Sequence, residues 1–167
     1  MAWLPGMRIT ADRLTDSAPH TVDWTTLTSN TALITTTETL ILASNSVLFR
    51  AGRAYRITLR ALAQSNGTSN MGVRFRLRKG SLTGGTIREW WSVPTFASTS
   101  GRNFYVELST VMTNTTATDI ATPVATTFVR DWGTDSVLIT GTAATPCSLH
   151  IEDIGEAALF PGTQSMT

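Results

Sequence analysis

Residues 53–79 read RAYRITLRALAQSNGTSNMGVRFRLRK, and this stretch decides the fold class. In Arg53–Ala63, the apolar residues Tyr55, Ile57, Leu59 and Ala61 recur at every second position, with Arg56, Thr58 and Arg60 between them. Met71–Lys79 repeats the pattern, with Met71, Val73, Phe75 and Leu77 set against Arg74, Arg76 and Arg78. A period of two belongs to a strand with one face buried and one face wet. Between the two runs, Gln64–Asn70 is polar and carries an Asn-Gly pair, which is a turn signal. If that turn makes a hairpin, Arg56, Arg60, Arg74, Arg76 and Arg78 share one sheet face. Like charges set opposite one another repel, so this face calls for partners: Glu89, Glu107 or the acidic surface of a neighbour. The simpler reading is a solvated face with local ion pairs, each worth little.

Outward from this stretch the chain is a series of short β-type segments. Toward the N-terminus they are Val22–Leu27, Ala32–Thr36, Thr39–Ala43 and Val47–Phe49. Toward the C-terminus they are Thr86–Val93, Arg102–Met112, Ala125–Trp132, Asp135–Thr142 and Cys147–Ile154, with a threonine-rich loop over Thr113–Thr122. Turn residues recur about every ten positions, the spacing of an antiparallel sandwich or barrel. No helical period and no internal repeat is visible. The expected fold is all-β: an antiparallel β-sandwich, jelly-roll-like, with an immunoglobulin-like sandwich as the alternative. Threonine fills about a fifth of the positions, which suits pleated, half-wet surfaces.

The first residues do not fit this pattern. MAWLPGMRITADRL, residues 1–14, carries Trp3, Leu4, Met7, Ile9 and Leu14 around a Pro5-Gly6 turn, and Thr10–Leu14 suits one capped helical turn. An apolar terminus frays unless something holds it. Residues 1–20 therefore read as a docking arm, 21–155 as the sandwich and 156–167 as a loosely ordered tail.

Composition narrows the chemistry. Charged residues make up 15% of the chain and the formal net charge is +1, which argues against a nucleic-acid binder. Lys79 is the only lysine, and arginine suits fixed, planar contacts. Cys147 is the only cysteine, so neither an internal disulfide nor a cysteine zinc site is expected. No membrane helix and no secretory signal is expected. The two histidines, His20 and His150, read as structural or exposed, and HExxH, GxSxG, Walker and GxGxxG motifs do not occur. Glu89 and Glu107 are the carboxylates a glycan hydrolase would need to face each other. Asp131, Asp135, Glu152 and Asp153 are candidates for a calcium site, against a simpler role in turns and arginine pairs. Trp90 reads as facing outward beside Arg88, as an interface anchor or a sugar platform, unless a loop covers it. Trp90, Trp132 and Tyr105 are the stacking candidates if the protein is a carbohydrate-binding module.

Three segments carry a family likeness. Pro5–Leu14 (PGMRITADRL) resembles the opening of small structural proteins from tailed phages of actinobacteria. Ala51–Ile57 (AGRAYRI) is similar to their AGR.YR strand, and Leu149–Gly155 (LHIEDIG) to their closing EDIG signature. The resemblance implies a virion protein of minor tail or capsid decoration type, a β-sandwich that assembles as an oligomer, often a trimer. It implies other virion proteins as partners and supplies no catalytic residues; together with the residues themselves, synthesis in a bacterial cytoplasm and no enzyme activity, cofactor or metal are expected. Binding of a host surface glycan is the alternative role; no nucleic acid and no membrane is expected as partner.

Overall fold

In the computed structural model, which describes residues 18–95 and 102–166, the two arginine-bearing strands lie in different sheets. The strands are β1 (His20–Leu27), β2 (Thr39–Ala43), β3 (Val47–Phe49), β4 (Arg53–Asn66), β5 (Met71–Lys79) and β6 (Thr86–Thr95). They continue as β7 (Asn103–Asn114), β8 (Ile120–Thr122), β9 (Val124–Trp132), β10 (Ser136–Thr140), β11 (Cys147–Glu156) and β12 (Gln164–Ser165). One sheet runs β1-β11-β4-β7-β12, with β10 also paired to β4; the other runs β2-β9-β5-β6; β3 and β8 form a small ribbon.

Five antiparallel pairings are nested: β5 with β6, β4 with β7, β3 with β8, β2 with β9 and β1 with β11. The chain is thus one long folded ribbon, its innermost pair at β5–β6 and its outermost at β1–β11, rolled into two facing sheets. That is a jelly roll. The body is the expected all-β antiparallel sandwich, with β3, β8 and β10 as additions in its connections.

The alternation read from residues 53–79 holds at the core positions, although Thr58 on the opposite face is buried as well. Tyr55, Ile57, Leu59, Ala61 and Ala63 of β4 and Met71, Val73, Phe75 and Leu77 of β5 are all buried. They form one core with Phe49, Phe128, Ile139, Leu149 and Ile151. Phe75 and Phe128 stack across neighbouring strands at 6.1 Å, and Phe49 meets Tyr55 edge-on at 4.8 Å. Cys147 is buried here, and burial pushes its thiol up to about 12.

Several expectations change. The β4–β5 connection is a crossover between sheets and not a hairpin. β4 runs on to Asn66, and the remaining loop is pinned by Asp135, which accepts a hydrogen bond from the Ser69 amide. Arg56 and Arg60 therefore lie on one sheet and Arg74, Arg76 and Arg78 on the other. The expected strand at Ala32–Thr36 reduces to a single bridge, Ile34 to Val137. The segment read as a loose tail is docked: β12 pairs in parallel with β7, the Met166 amide donates to the Thr113 carbonyl at 3.0 Å, and Met166 is buried. The arm residues Trp3, Leu4, Met7, Ile9 and Leu14, and the helical turn expected at Thr10–Leu14, lie outside the described residues.

Candidate functional site

The outer face of the four-stranded sheet is an ion ladder. Arg74, Arg76 and Arg78 alternate with the core positions of β5 and so project outward in a row. Glu38, just before β2, accepts from Arg76 Nη1 at 2.5 Å and clasps Arg78, with Nε–Oε1 at 2.7 Å and Nη2–Oε2 at 2.6 Å; the Thr127 hydroxyl donates to it as well. Glu89 of β6 pairs with Arg76 and lies 3.7 Å from Arg74, which also pairs with Asp131. Three guanidiniums are met by three carboxylates of the same chain. Burial pushes the Glu38 carboxyl up, but the hydrogen bonds from Arg78, Thr127 and Arg76 outweigh it and hold the group at about 2.

Trp90 is not on that face. Register shifts between Val73 and Phe75 and between Leu77 and Arg78 offset the alternation of β6. The result sets Trp90 opposite Phe75 and packs it against the core, while Glu89 turns out to Arg76. Trp90 is thus partly buried against the core rather than paired outward with Arg88.

The outer face of the six-stranded sheet is different. Thr26, Ser148, Arg60 and Glu107 form one row across β1, β11, β4 and β7. Trp24, His150, Thr58 and Ser109 form the next. Glu152, Arg56 and Val111 form a third, with Thr21 opposite Glu152. Trp24 is 52% exposed and Tyr105 62% exposed. Trp24 packs at 4.7 Å on His150, whose Nε2 lies 2.9 Å from the Thr21 hydroxyl. The Tyr105 hydroxyl donates to Glu107 at 2.9 Å, and Arg60 Nε donates to the same oxygen at 3.2 Å. These two bonds lower the Glu107 carboxyl, the Tyr105 bond first, and the bond to Glu107 raises the Tyr105 hydroxyl. Arg56 pairs with Glu152 at 3.8 Å. Trp24 carried no weight in the sequence reading, because the register shift between Thr21 and Asp23 blurs the alternation of β1.

At one end of the sandwich the AGR.YR and EDIG segments meet. β4 and β11 pair so that Arg56 faces Glu152, Tyr55 faces Asp153 and Ala54 faces Gly155. Arg53 reaches Asp153 in a two-pronged ion pair at 2.7 Å and 3.0 Å, nearly sealed from solvent. The Asp153 carboxylate also accepts from the Gly155 amide at 3.0 Å. Gly155 takes a positive φ of 124, a backbone state that strains any residue with a side chain. Beside the pair opens a cleft of about 220 Å³ lined by His20, Leu48, Arg50, Tyr55 and Asp153. The Arg50 amide donates to the Tyr55 hydroxyl at 2.6 Å, and burial first, with nearby Asp153, pushes that hydroxyl up to about 12.

Other pairs weighed from sequence do not converge. Glu89 and Glu107 stand on the outer faces of different sheets, with a core roughly 10 Å thick between them. Asp131, Asp135, Glu152 and Asp153 are each spent on a different partner: Arg74, the Ser69 amide, Arg56 and Arg53. No group of three or more metal-ligating side chains gathers among the described residues. Of the three stacking candidates, only Tyr105 lies on the six-stranded face; Trp132 ends β9 in the other sheet. No described helix is long and apolar enough to cross a membrane.

No protein-family model matches this sequence, and no curated protein does. Solved structures are similar in fold at low identity. The VP2 subviral particle of infectious bursal disease virus is 13% identical with a TM-score of 0.47, over 92% of this chain and 40% of that one. The T13 viral particle of the same virus gives 11% and 0.48, over 93% and 39%. The N-terminal CBM22 tandem domain of Paenibacillus barcinonensis Xyn10C gives 9% and 0.39, over 87% and 48%. The chain spans about two fifths of the VP2 proteins it matches. These are likenesses of sandwich to sandwich and leave function to the residues themselves.

Proposed function

We propose that this chain is a non-enzymatic structural protein of a virus particle, of the minor tail or capsid decoration type found in tailed phages of actinobacteria. One observation carries the reading. The AGR.YR and EDIG segments, which resemble short motifs of that family, are a single unit here, joined by Arg53–Asp153 and Arg56–Glu152. The dispersed carboxylates favour a structural role over a hydrolytic one. In this reading residues 1–20 dock the jelly roll on a sister subunit, a trimer being favoured, or on the major capsid or tail protein.

The test uses particles of the phage that encodes the chain. Mass spectrometry and immunogold labelling should find it on purified virions, and its absence there would remove the proposal. Full chain and a chain lacking Met1–Leu14 are then offered to particles assembled without it. Only the full chain should load, while circular dichroism shows both folded. Equal loading would leave the arm without a docking role.

A further inference from the structure

We infer that the outer face of the six-stranded sheet binds a neutral oligosaccharide, with Trp24 and Tyr105 as its two stacking platforms. Two aromatic rings stand more than half exposed on the outer face of this strand array. The groups on the same face decide what its occupant is. Arg56 and Arg60 are each met by a carboxylate, Glu152 and Glu107, so the face offers a polyanion no uncompensated charge. The rows between the rings carry hydroxyls and ion pairs in place of an apolar centre, unlike the core of a protein interface.

What remains is a ligand with apolar C–H faces and many hydroxyls. Its C–H faces lie on the rings. Its hydroxyls find donors and acceptors in the Arg60–Glu107–Tyr105 set and in the exposed Ser109 hydroxyl, which the buried Thr58 hydroxyl holds at 3.0 Å. The Tyr105 ring is oriented in advance by its bond to Glu107, which reduces the ordering cost of binding. Strand spacing and rise put the two rings roughly 20 Å apart across three strand intervals and four residues. A monosaccharide cannot touch both, so the face reads a chain of several sugars. The inference stands on this face alone and does not need the chain to be a virion protein.

The experiment is calorimetric titration of the full chain with neutral hexasaccharides of β-1,4-glucose, β-1,4-xylose, α-1,4-glucose and N-acetylglucosamine, each beside its monosaccharide. At least one hexasaccharide should bind and its monosaccharide should not. Trp24→Ala and Tyr105→Ala should each weaken binding by roughly tenfold or more. Trp132→Ala, on the other sheet, should leave it unchanged. Tyr105→Phe, which keeps the ring and frees Glu107, should fall between wild type and Tyr105→Ala, so that the inference survives if the Trp24 variant unfolds. Failure of every hexasaccharide at millimolar concentration, binding untouched by both ring deletions, or binding of heparin in place of neutral sugars would each overturn it.

Discussion

Arg53 and Asp153 are separated by 100 positions in the sequence and by 2.7 Å in the structure, as a forked pair in which Asp153 is only 3% exposed. A buried pair loses more when one partner is removed than it contributes when whole, because the survivor is left charged and dry. Asp153→Ala should therefore cost about 3–5 kcal/mol in urea unfolding. Replacing both residues with apolar side chains of similar volume should cost markedly less. Equal losses in the single and double variants would show that the pairing itself carries the stability.

Glu38 sets the acid limit of the four-stranded sheet. Its carboxyl lies at about 2 in the folded chain, against an ordinary value of 4.5. A lowered carboxylate gives stability that is fully present above about pH 4.5 and is lost as pH falls toward 2. The amount is on the order of 1–3 kcal/mol after allowance for its part exposure. Thermal melts of wild type should fall across that window, and Glu38→Gln, less stable at pH 7, should flatten it. Parallel curves for the two proteins would deny Glu38 this role.

The docked C-terminal segment should matter to the body. Met166 is 1% exposed, and Met166→Ala should cost about 2–5 kcal/mol. Deletion from Gly162 onward should cost at least as much, measured by the same unfolding curve. A deletion mutant as stable as the intact chain would mean that β12 only rests on β7.

Cys147 should be silent to thiol reagents. It is 1% exposed, and burial alone raises it to about 12. Ellman's reagent at pH 8 should modify it only at the rate of unfolding, and completely in denaturant. Fast reaction with the native protein would contradict the core position of β11.

The alternation around Tyr55 and Phe75 revealed strands and their buried faces, because side-chain direction along a strand follows from the period alone. It did not reveal neighbours. The Asn66-Gly67 pair looked like a hairpin tip and is instead part of a step between sheets, since alternation specifies a face and not a partner. Bulges hid the rest. One extra residue opposite Arg74 or Arg78 turns Trp90 inward and Glu89 outward, and the shift after Thr21 hides the exposure of Trp24. The docking of Met166 was illegible for another reason: two residues of parallel pairing leave no pattern to read. The AGR.YR and EDIG segments were visible as strings, yet their union depended on the register of β4 and β11, which only the folded chain displays.

The nesting of the ribbon has a consequence for synthesis. Within the sandwich β1 is made before every other strand, and its partner β11 after all but β12. Until β11 emerges, β1 has no neighbour and half of β4 lacks one edge. The inner pair β5–β6 forms early and locally, but the outermost closure waits for almost the whole chain and must bridge its longest loop. A nascent chain stalled before Cys147 is therefore an open sheet with unpaired edges, and β11, made after every strand but β12, is the one that seals it.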